Sequence, residues 1–255
     1  MLPAERRNRI LNQLRTAGAV RVGDLSELLD VSEITIRRDL EQMELEGMLE
    51  RTHGGAIFNQ RIRLEPLFSE KHRAQQAEKR QIGAAAAHLV QDGDTLLVNS
   101  GSTTLQLFRH LSGKRDLKVI TSNMSAFVET QGAQMELLLV GGSYRAQSNS
   151  LVGPLALLSL QQVFAGKCFI GVDGVSLKYG MTTPNLQEAE VARTMIERTR
   201  GQVIILADHS KIGVVADFVT APLDKVDMLV TDSGIHPEYV DELRALGVEV
   251  VVADS

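Results

Sequence analysis

The chain has 255 residues and a single cysteine, so no intrachain disulfide forms and the fold rests on an apolar content of 44%. A net charge of −5 excludes a uniformly basic coat for nucleic acid or membrane, and no apolar run approaches the roughly twenty residues that span a bilayer. The N-terminal stretch MLPAERRNRIL lacks the apolar core and cleavage site of a secretory signal, so the expectation is a cytoplasmic chain with no membrane partner.

The first element is a helix over Glu5 to Leu14, with Ile10, Leu11 and Leu14 inward. Arg6, Arg7 and Arg9 fall on or beside its polar side, where they suit phosphate contact and solubility equally. Thr16-Ala17-Gly18 ends it, and Val20 and Val22 read as a short strand. Asp24 to Leu29 forms a short second helix, and Asp30-Val31-Ser32 turns the chain into a third.

The Ser32 hydroxyl suits the N-cap of this third helix. Helical spacing puts Ile36, Leu40 and Met43 on the buried face. Ile34, Thr35, Arg38 and Gln42 lie on or near the other side, with Arg37 on the flank. Gly47 stops the helix. Thr52-His53-Gly54-Gly55 then makes a turn with apolar residues on both sides. A solvated surface helix would carry the same arginines. The preceding short helix and tight turn favour a helix-turn-helix followed by a hairpin wing.

The candidate DNA contacts are Ser32, Thr35, Arg37, Arg38, Gln42, Arg51 and His53. Hydroxyls and arginines suit phosphates, and Arg donates two parallel hydrogen bonds to a guanine edge. Residues 1–56 hold eight Arg against ten Asp or Glu, so affinity must come from where the arginines sit, and a dimer doubles the contacts.

Residues 57–73, IFNQRIRLEPLFSEKHR, show no clear period and are rich in charge. The expected division is a winged helix-turn-helix domain over 1–58, a linker over 59–73 and an effector domain over 74–255. A helix is expected from Ala74 to Val90.

From Thr95 the pattern changes to short apolar runs separated by glycine-bearing turns and helical segments. The runs are Thr95–Asn99, Lys118–Thr121, Glu136–Val140, Cys168–Val172, Val203–Ala207, Met228–Thr231 and Val248–Val252. Such runs without strict alternation suit strands buried on both faces. The fold class is therefore α/β: an N-terminal winged helix-turn-helix followed by a mostly parallel, doubly wound effector domain.

Ligands in such sheets bind beyond the carboxyl ends of the strands. The first run is followed by Ser100-Gly101-Ser102-Thr103-Thr104 at a helix start, which offers free N–H groups, hydroxyls and a favourable dipole to an anion. An ordinary N-cap has the same composition. Asp173 follows the Cys168 run, and Asp208-His209-Ser210-Lys211 follows the Val203 run. A hydroxyl loop with Lys211 suits a phosphate, and Asp173 and Glu190 suit sugar hydroxyls. Together with Asp208 these read as a phosphorylated-sugar site.

Val31-Ser32-Glu33-x-Thr35-Ile36-Arg37-Arg38-Asp39-Leu40, followed by Arg51-x-His53-Gly54-Gly55-Ala56, resembles the signature of the DeoR family of bacterial transcription regulators. SGSTT, TSN, GGSYR, GVDG, EAEVAR and ADHSKIG, in that order, resemble the effector domain of that family, which is similar to ribose-5-phosphate isomerase. The resemblance implies that Ser100 to Thr103 correspond to the isomerase phosphate loop, Asp173 to the last acid of its Asp-Gly-Ala-Asp, Lys211 to the lysine of its Asp-x-Ser-Lys, and Glu190 to its catalytic glutamate. The first acid of Asp-Gly-Ala-Asp is Ile170 here, and Lys178-Tyr179-Gly180-Met181 stands where the isomerase has Lys-Gly-Gly-Gly. Isomerisation needs positioned acid and base groups, so the pocket is expected to bind without turnover.

The expected function is a sequence-specific DNA-binding regulator, a repressor of sugar-metabolism genes, modulated by a phosphorylated sugar. The alternative is a sugar-phosphate isomerase or lyase with an accessory DNA-binding head. The expected partners are a double-stranded DNA operator, the effector, and further copies in a homodimer or homotetramer. No cofactor, metal cluster or catalytic residue is expected, since the six His are scattered and Cys168 stands alone.

Overall fold

The computed structural model describes residues 2–58, 60–61 and 65–253. In the N-terminal head, helix α1 (Pro3–Ala17) has Pro in its first turn, where a missing N–H costs nothing. It closes on Gly18 at φ 76°, and strand β1 (Ala19–Arg21) follows. Val22 opens helix α2 (Val22–Leu29) instead of extending the strand. Helix α3 (Glu33–Leu45) begins after a turn in which Asp30 is left-handed, and Ser32 Oγ accepts from the Thr35 N–H at 3.3 Å.

The wing is β2 (Leu49–Arg51) and β3 (Gly55–Phe58). With β1 it forms an antiparallel sheet in the order β1-β3-β2. Gly55 is obligatory, because a Cβ there would sit 1.8 Å from the Val20 carbonyl oxygen. Ile10, Leu14, Leu25, Ile36, Leu40, Met43 and Leu49 fill the head's core.

Arg6 departs from the polar side expected for it. It is 8% exposed, its Nε donates to Asp39, and its Nη2 donates to the other Asp39 oxygen at 3.2 Å. The pair bolts α1 to α3. Hydrogen bonding to Asp39 is the main reason the Arg6 guanidinium is held even more firmly protonated than usual.

The described parts of the charged segment after the head hold secondary structure that the sequence reading did not expect. Strand β4 (Gln60–Arg61) is followed by α4 (Phe68–Arg73) and α5 (Gln76–His88). Glu70 caps α4 by accepting from the Leu67 N–H at 2.8 Å. Gln75, at φ 48°, separates α4, which lies in the stretch expected to be linker, from α5, which is the helix expected from Ala74 to Val90.

The remaining elements, in chain order, are β5 (Thr95–Val98), α6 (Ser102–Arg109), β6 (Leu117–Thr121), α7 (Ala126–Glu129), β7 (Met135–Leu139), β8 (Ser143–Arg145), β9 (Ser150–Val152), α8 (Pro154–Gln161), β10 (Ala165–Gly171), β11 (Gly174–Ser176), β12 (Gly180–Thr183), α9 (Leu186–Glu197), β13 (Thr199–Leu206), β14 (Val214–Val215), β15 (Phe218–Ala221), β16 (Met228–Asp232), α10 (Pro237–Ala245) and β17 (Glu249–Ala253).

The seven apolar runs form one parallel sheet, ordered β17-β16-β13-β10-β5-β6-β7. Separate apolar clusters cover its two faces. Cys168 lies in β10 at 0% exposure. The chain steps one way from β5 to β7 and the other way from β10 to β17, so β5 and β10 flank the switch point. Strand ends separate there and leave a crevice.

The head packs on this α/β region. Ala19 and Ile57 belong to the same apolar cluster as Val175 and Tyr239. Strand β4 pairs in parallel with β14 through Val214–Gln60 and Val215–Arg61. Arg21 pairs with Glu238, and the His53 N–H donates to Glu242 at 2.7 Å.

Candidate functional site

Two places carry the chemistry expected from the sequence. The first is the outward side of α3. Ile36, Asp39, Leu40 and Met43 bury the helix, which leaves Ser32, Arg37, Arg38 and Gln42 exposed and Thr35 half-buried. Glu33 accepts from Arg37 at 3.2 Å, and Gln42 donates to Glu46 at 2.7 Å. Arg7 and Arg9 pair with Glu46 and Glu5. Among the described residues Arg38 makes no ion pair, so it is the uncommitted cation of α3.

The wing residues sit differently. Arg51 donates its N–H to Glu44 at 3.3 Å, and its buried Nε has no hydrogen-bond partner. The His53 ring places Nδ1 3.2 Å from Glu242 Oε1 on α10, so the wing tip faces the α/β region.

The second place is an open cleft at the switch point. Asn99 holds its floor: its amide donates to the Gly171 carbonyl and accepts from the Gly171 N–H, both at 2.8 Å, which ties the ends of β5 and β10. Ser100, Gly101, Ser102 and Thr103 line the cleft as α6 begins, and Lys211 lines it too. No carboxylate among the described residues pairs with Lys211. The first N–H groups of α6 and this ammonium are donors of the kind that suit an anion.

Asp173 is 8% exposed and faces the cleft, where Thr183 Oγ1 donates to it at 3.1 Å and Lys71 Nζ at 2.6 Å. Three residues expected in the site do not line the cleft. Thr104 turns inward and donates to the Asn99 carbonyl at 3.0 Å. Asp208 is fully buried, accepts from the Ser210 N–H at 3.1 Å and pairs with Lys79 at 3.2 Å, so it shapes the turn that carries Lys211. Burial is the strongest single influence and pushes the Asp208 carboxyl up, but the Lys79 charge, the Ser210 hydrogen bond and the Lys211 charge together outweigh it and hold the group below the usual carboxylate range.

Glu190 is the third, and Glu188 takes its place in the cleft. Asn185 caps α9 by accepting from the Glu188 N–H, which fixes the helix phase and turns residue 190 elsewhere. Burial raises the Glu188 carboxyl above its ordinary range. The sequence reading also missed Phe68 and Lys71, which come from the segment expected to be linker, and Asn99. Among the described residues no group of His, Cys, Asp and Glu is arranged to hold a metal ion.

Residues 6–61 match the DeoR-like helix-turn-helix domain, and residues 74–233 match the DeoR C terminal sensor domain. The HTH-type transcriptional repressor GlcR of Bacillus subtilis strain 168 is 32% identical over 100% of this chain and 98% of its own length. The HTH-type transcriptional regulator GolR of Listeria innocua is 31% identical over the whole of both chains, 100% of each. Ribose 5-phosphate isomerase A from Methanocaldococcus jannaschii is similar over 55% of each chain, at 16% identity and a TM-score of 0.40. The matched domains and relatives are those of regulators, and the protein is not an enzyme. With a helix-turn-helix head and a sensor domain matched in order along its length, the chain belongs to the DeoR family of transcriptional regulators.

Proposed function

We propose that the protein is a repressor of sugar-metabolism genes, and that a phosphorylated sugar bound in the cleft modulates its hold on a DNA operator. One observation carries the effector reading: the start of α6, Lys211 and Asp173 face a single cleft at the switch point of the sheet. The helix N-terminus and Lys211 take the phosphate, and Asp173 takes sugar hydroxyls. The matched sensor domain and the relative named as a repressor support the same reading.

On the DNA side, Ser32, Thr35, Arg37, Arg38 and Gln42 supply contacts from α3, and Arg51 and His53 supply them from the wing. Use of His53 requires the wing tip to leave Glu242. The working units are a DNA-binding domain over 1–58, a connector over 59–73 and a sensor over 74–255. The protein works in the cytoplasm; no helix among the described residues is long and apolar enough to cross a membrane.

Copies of the chain pair through the sensor as a dimer or tetramer. Strand β7 is an edge strand with Leu138 and Leu139 exposed, and Leu155 and Leu158 of α8 are exposed too. Sedimentation at micromolar concentration checks this, and a monomer refutes it.

The effector reading is tested by thermal shift with a panel of pentose and hexose phosphates. A ligand at about a hundredfold its Kd stabilises by about 2.7 kcal/mol. A gel shift with DNA flanking the gene, with and without the stabilising compound, then reads regulation. No shift with any phosphorylated sugar sinks the effector assignment.

A further inference from the structure

Lys71 reaches the cleft from the segment that joins head to sensor. Its side chain is 14% exposed, and its ammonium lies 2.6 Å from Asp173 Oδ1. The same segment is fastened again a few residues earlier. Glu65 accepts from Arg145 Nη1 at 2.6 Å, and Nη1 also reaches Glu188 Oε1 at 3.0 Å. Gln147 donates to the Glu65 carbonyl at 2.7 Å, and the Phe68 N–H donates to the Gln147 carbonyl at 2.8 Å. The connector is a strap: at one fastening Lys71 is held by the cleft-lining Asp173, and at the other Glu65 is held by Arg145, which also pairs with the cleft-lining Glu188.

In sequence the strap follows β4 and the wing. Strand β4 starts two residues after β3 ends. Its partner β14 starts three residues after Lys211. Lys71 is thus on the connector, and Lys211 leads into the strand that pairs with it.

We propose that Lys71 is a ligand-binding residue of the sensor, and that effector occupancy is passed to the head by seating this strap. The proposal rests on the reading of the cleft as a sugar-phosphate site. An ammonium has three donors, so Lys71 keeps one bond to Asp173 and gives the others to sugar oxygens held beside that acid. The contact exists only while the strap is seated. The ligand therefore binds the seated arrangement more tightly, which is the condition for shifting the equilibrium. The seated strap is also the one that accompanies a wing docked on α10. Inorganic phosphate, held by α6 and Lys211 alone, should bind without seating the strap.

The test uses the full chain with Lys71→Met, and Lys71→Arg as the conservative variant. Calorimetry measures inorganic phosphate, ribose 5-phosphate, glucose 6-phosphate and fructose 6-phosphate. Amide hydrogen exchange follows residues 65–73. Lys71→Met should weaken the sugar phosphate that the wild type binds by about tenfold or more, while phosphate alone changes less than about twofold. The sugar phosphate should slow exchange over 65–73 in the wild type and in Lys71→Arg, but not in Lys71→Met. Wild-type affinity and protection in Lys71→Met would overturn the proposal and leave the sugar-phosphate reading standing. Equal loss of phosphate and sugar phosphate would also overturn it, since Lys71 would then only hold the cleft in shape. A wild type that binds none of the four compounds would remove the sugar-phosphate reading, and this proposal with it.

Discussion

The carboxylate of Glu50 in the wing accepts the hydroxyl hydrogen of Ser176 on β11. Its second oxygen accepts from the Leu177 N–H at 3.0 Å, and the residue is 2% exposed. Tyr239 packs in the apolar cluster that holds Val175 and donates its hydroxyl to the Val175 carbonyl at 2.8 Å. An acid from the DNA-binding head is thereby buried in the sensor.

That burial raises the Glu50 carboxyl above its ordinary value of 4.5; Glu44 adds to the rise, while Ser176, Leu177 and Lys178 work against it. A folded value above the unfolded one means the folded state holds its proton longer. The associated stability is fully present below 4.5 and is lost as pH rises through the folded value. Melting temperature should therefore fall less on the way from that pH to neutrality in Glu50→Gln than in the wild type. Parallel pH profiles for the two proteins would show that Glu50 does not titrate in this window.

Arg38 and Arg37 should separate on DNA. Arg38 is unpaired among the described residues, whereas Arg37 is committed to Glu33 at 3.2 Å. Arg38→Ala should cost about 1–3 kcal/mol of operator affinity if it reads a guanine. Arg37→Ala should cost less and reduce the salt slope. Fluorescence anisotropy at several salt concentrations reads both, and unchanged affinity in both would mean that α3 faces away from DNA.

Lys211→Ala should leave operator binding intact and abolish the response to the sugar phosphate, because among the described residues lining the cleft Lys211 is the cation without a carboxylate partner. The unphosphorylated sugar should fail as effector at comparable concentration. A mutant that responds normally, or that loses DNA binding while folded, would show that the phosphate lies elsewhere.

Asp39→Ala should damage the head far more than the loss of an exposed ion pair. It strands Arg6 with its side chain only 10% exposed, and breaking a buried pair from one side costs about 3–5 kcal/mol. Glu5→Ala, which frees exposed Arg9, should cost under about 1 kcal/mol. Thermal denaturation compares them directly, and equal losses would refute the distinction.

Strands buried on both faces announce themselves, which is why the apolar runs located the whole parallel sheet. The short antiparallel pieces, such as β8 with β9 and β11 with β12, are too brief for a period to show. Glu188 and Glu190 differ by about 200° around a helix, so the choice between them hung on the Asn185 cap, which the reading did not use. Arg6 looked exposed because its partner is 33 residues away. Lys71 was invisible for a related reason: in a charged segment without period, nothing local says which charge faces inward.

Cys168 has one more consequence. Burial pushes its thiol up to about 12, so almost no thiolate forms near neutral pH and the group resists alkylation and oxidation. The wild-type chain is thus a ready-made background for thiol chemistry. A cysteine placed on exposed Leu45 and another on exposed Leu246 would take up fluorophores alone, and energy transfer between them would report head and sensor parting in the unmodified core.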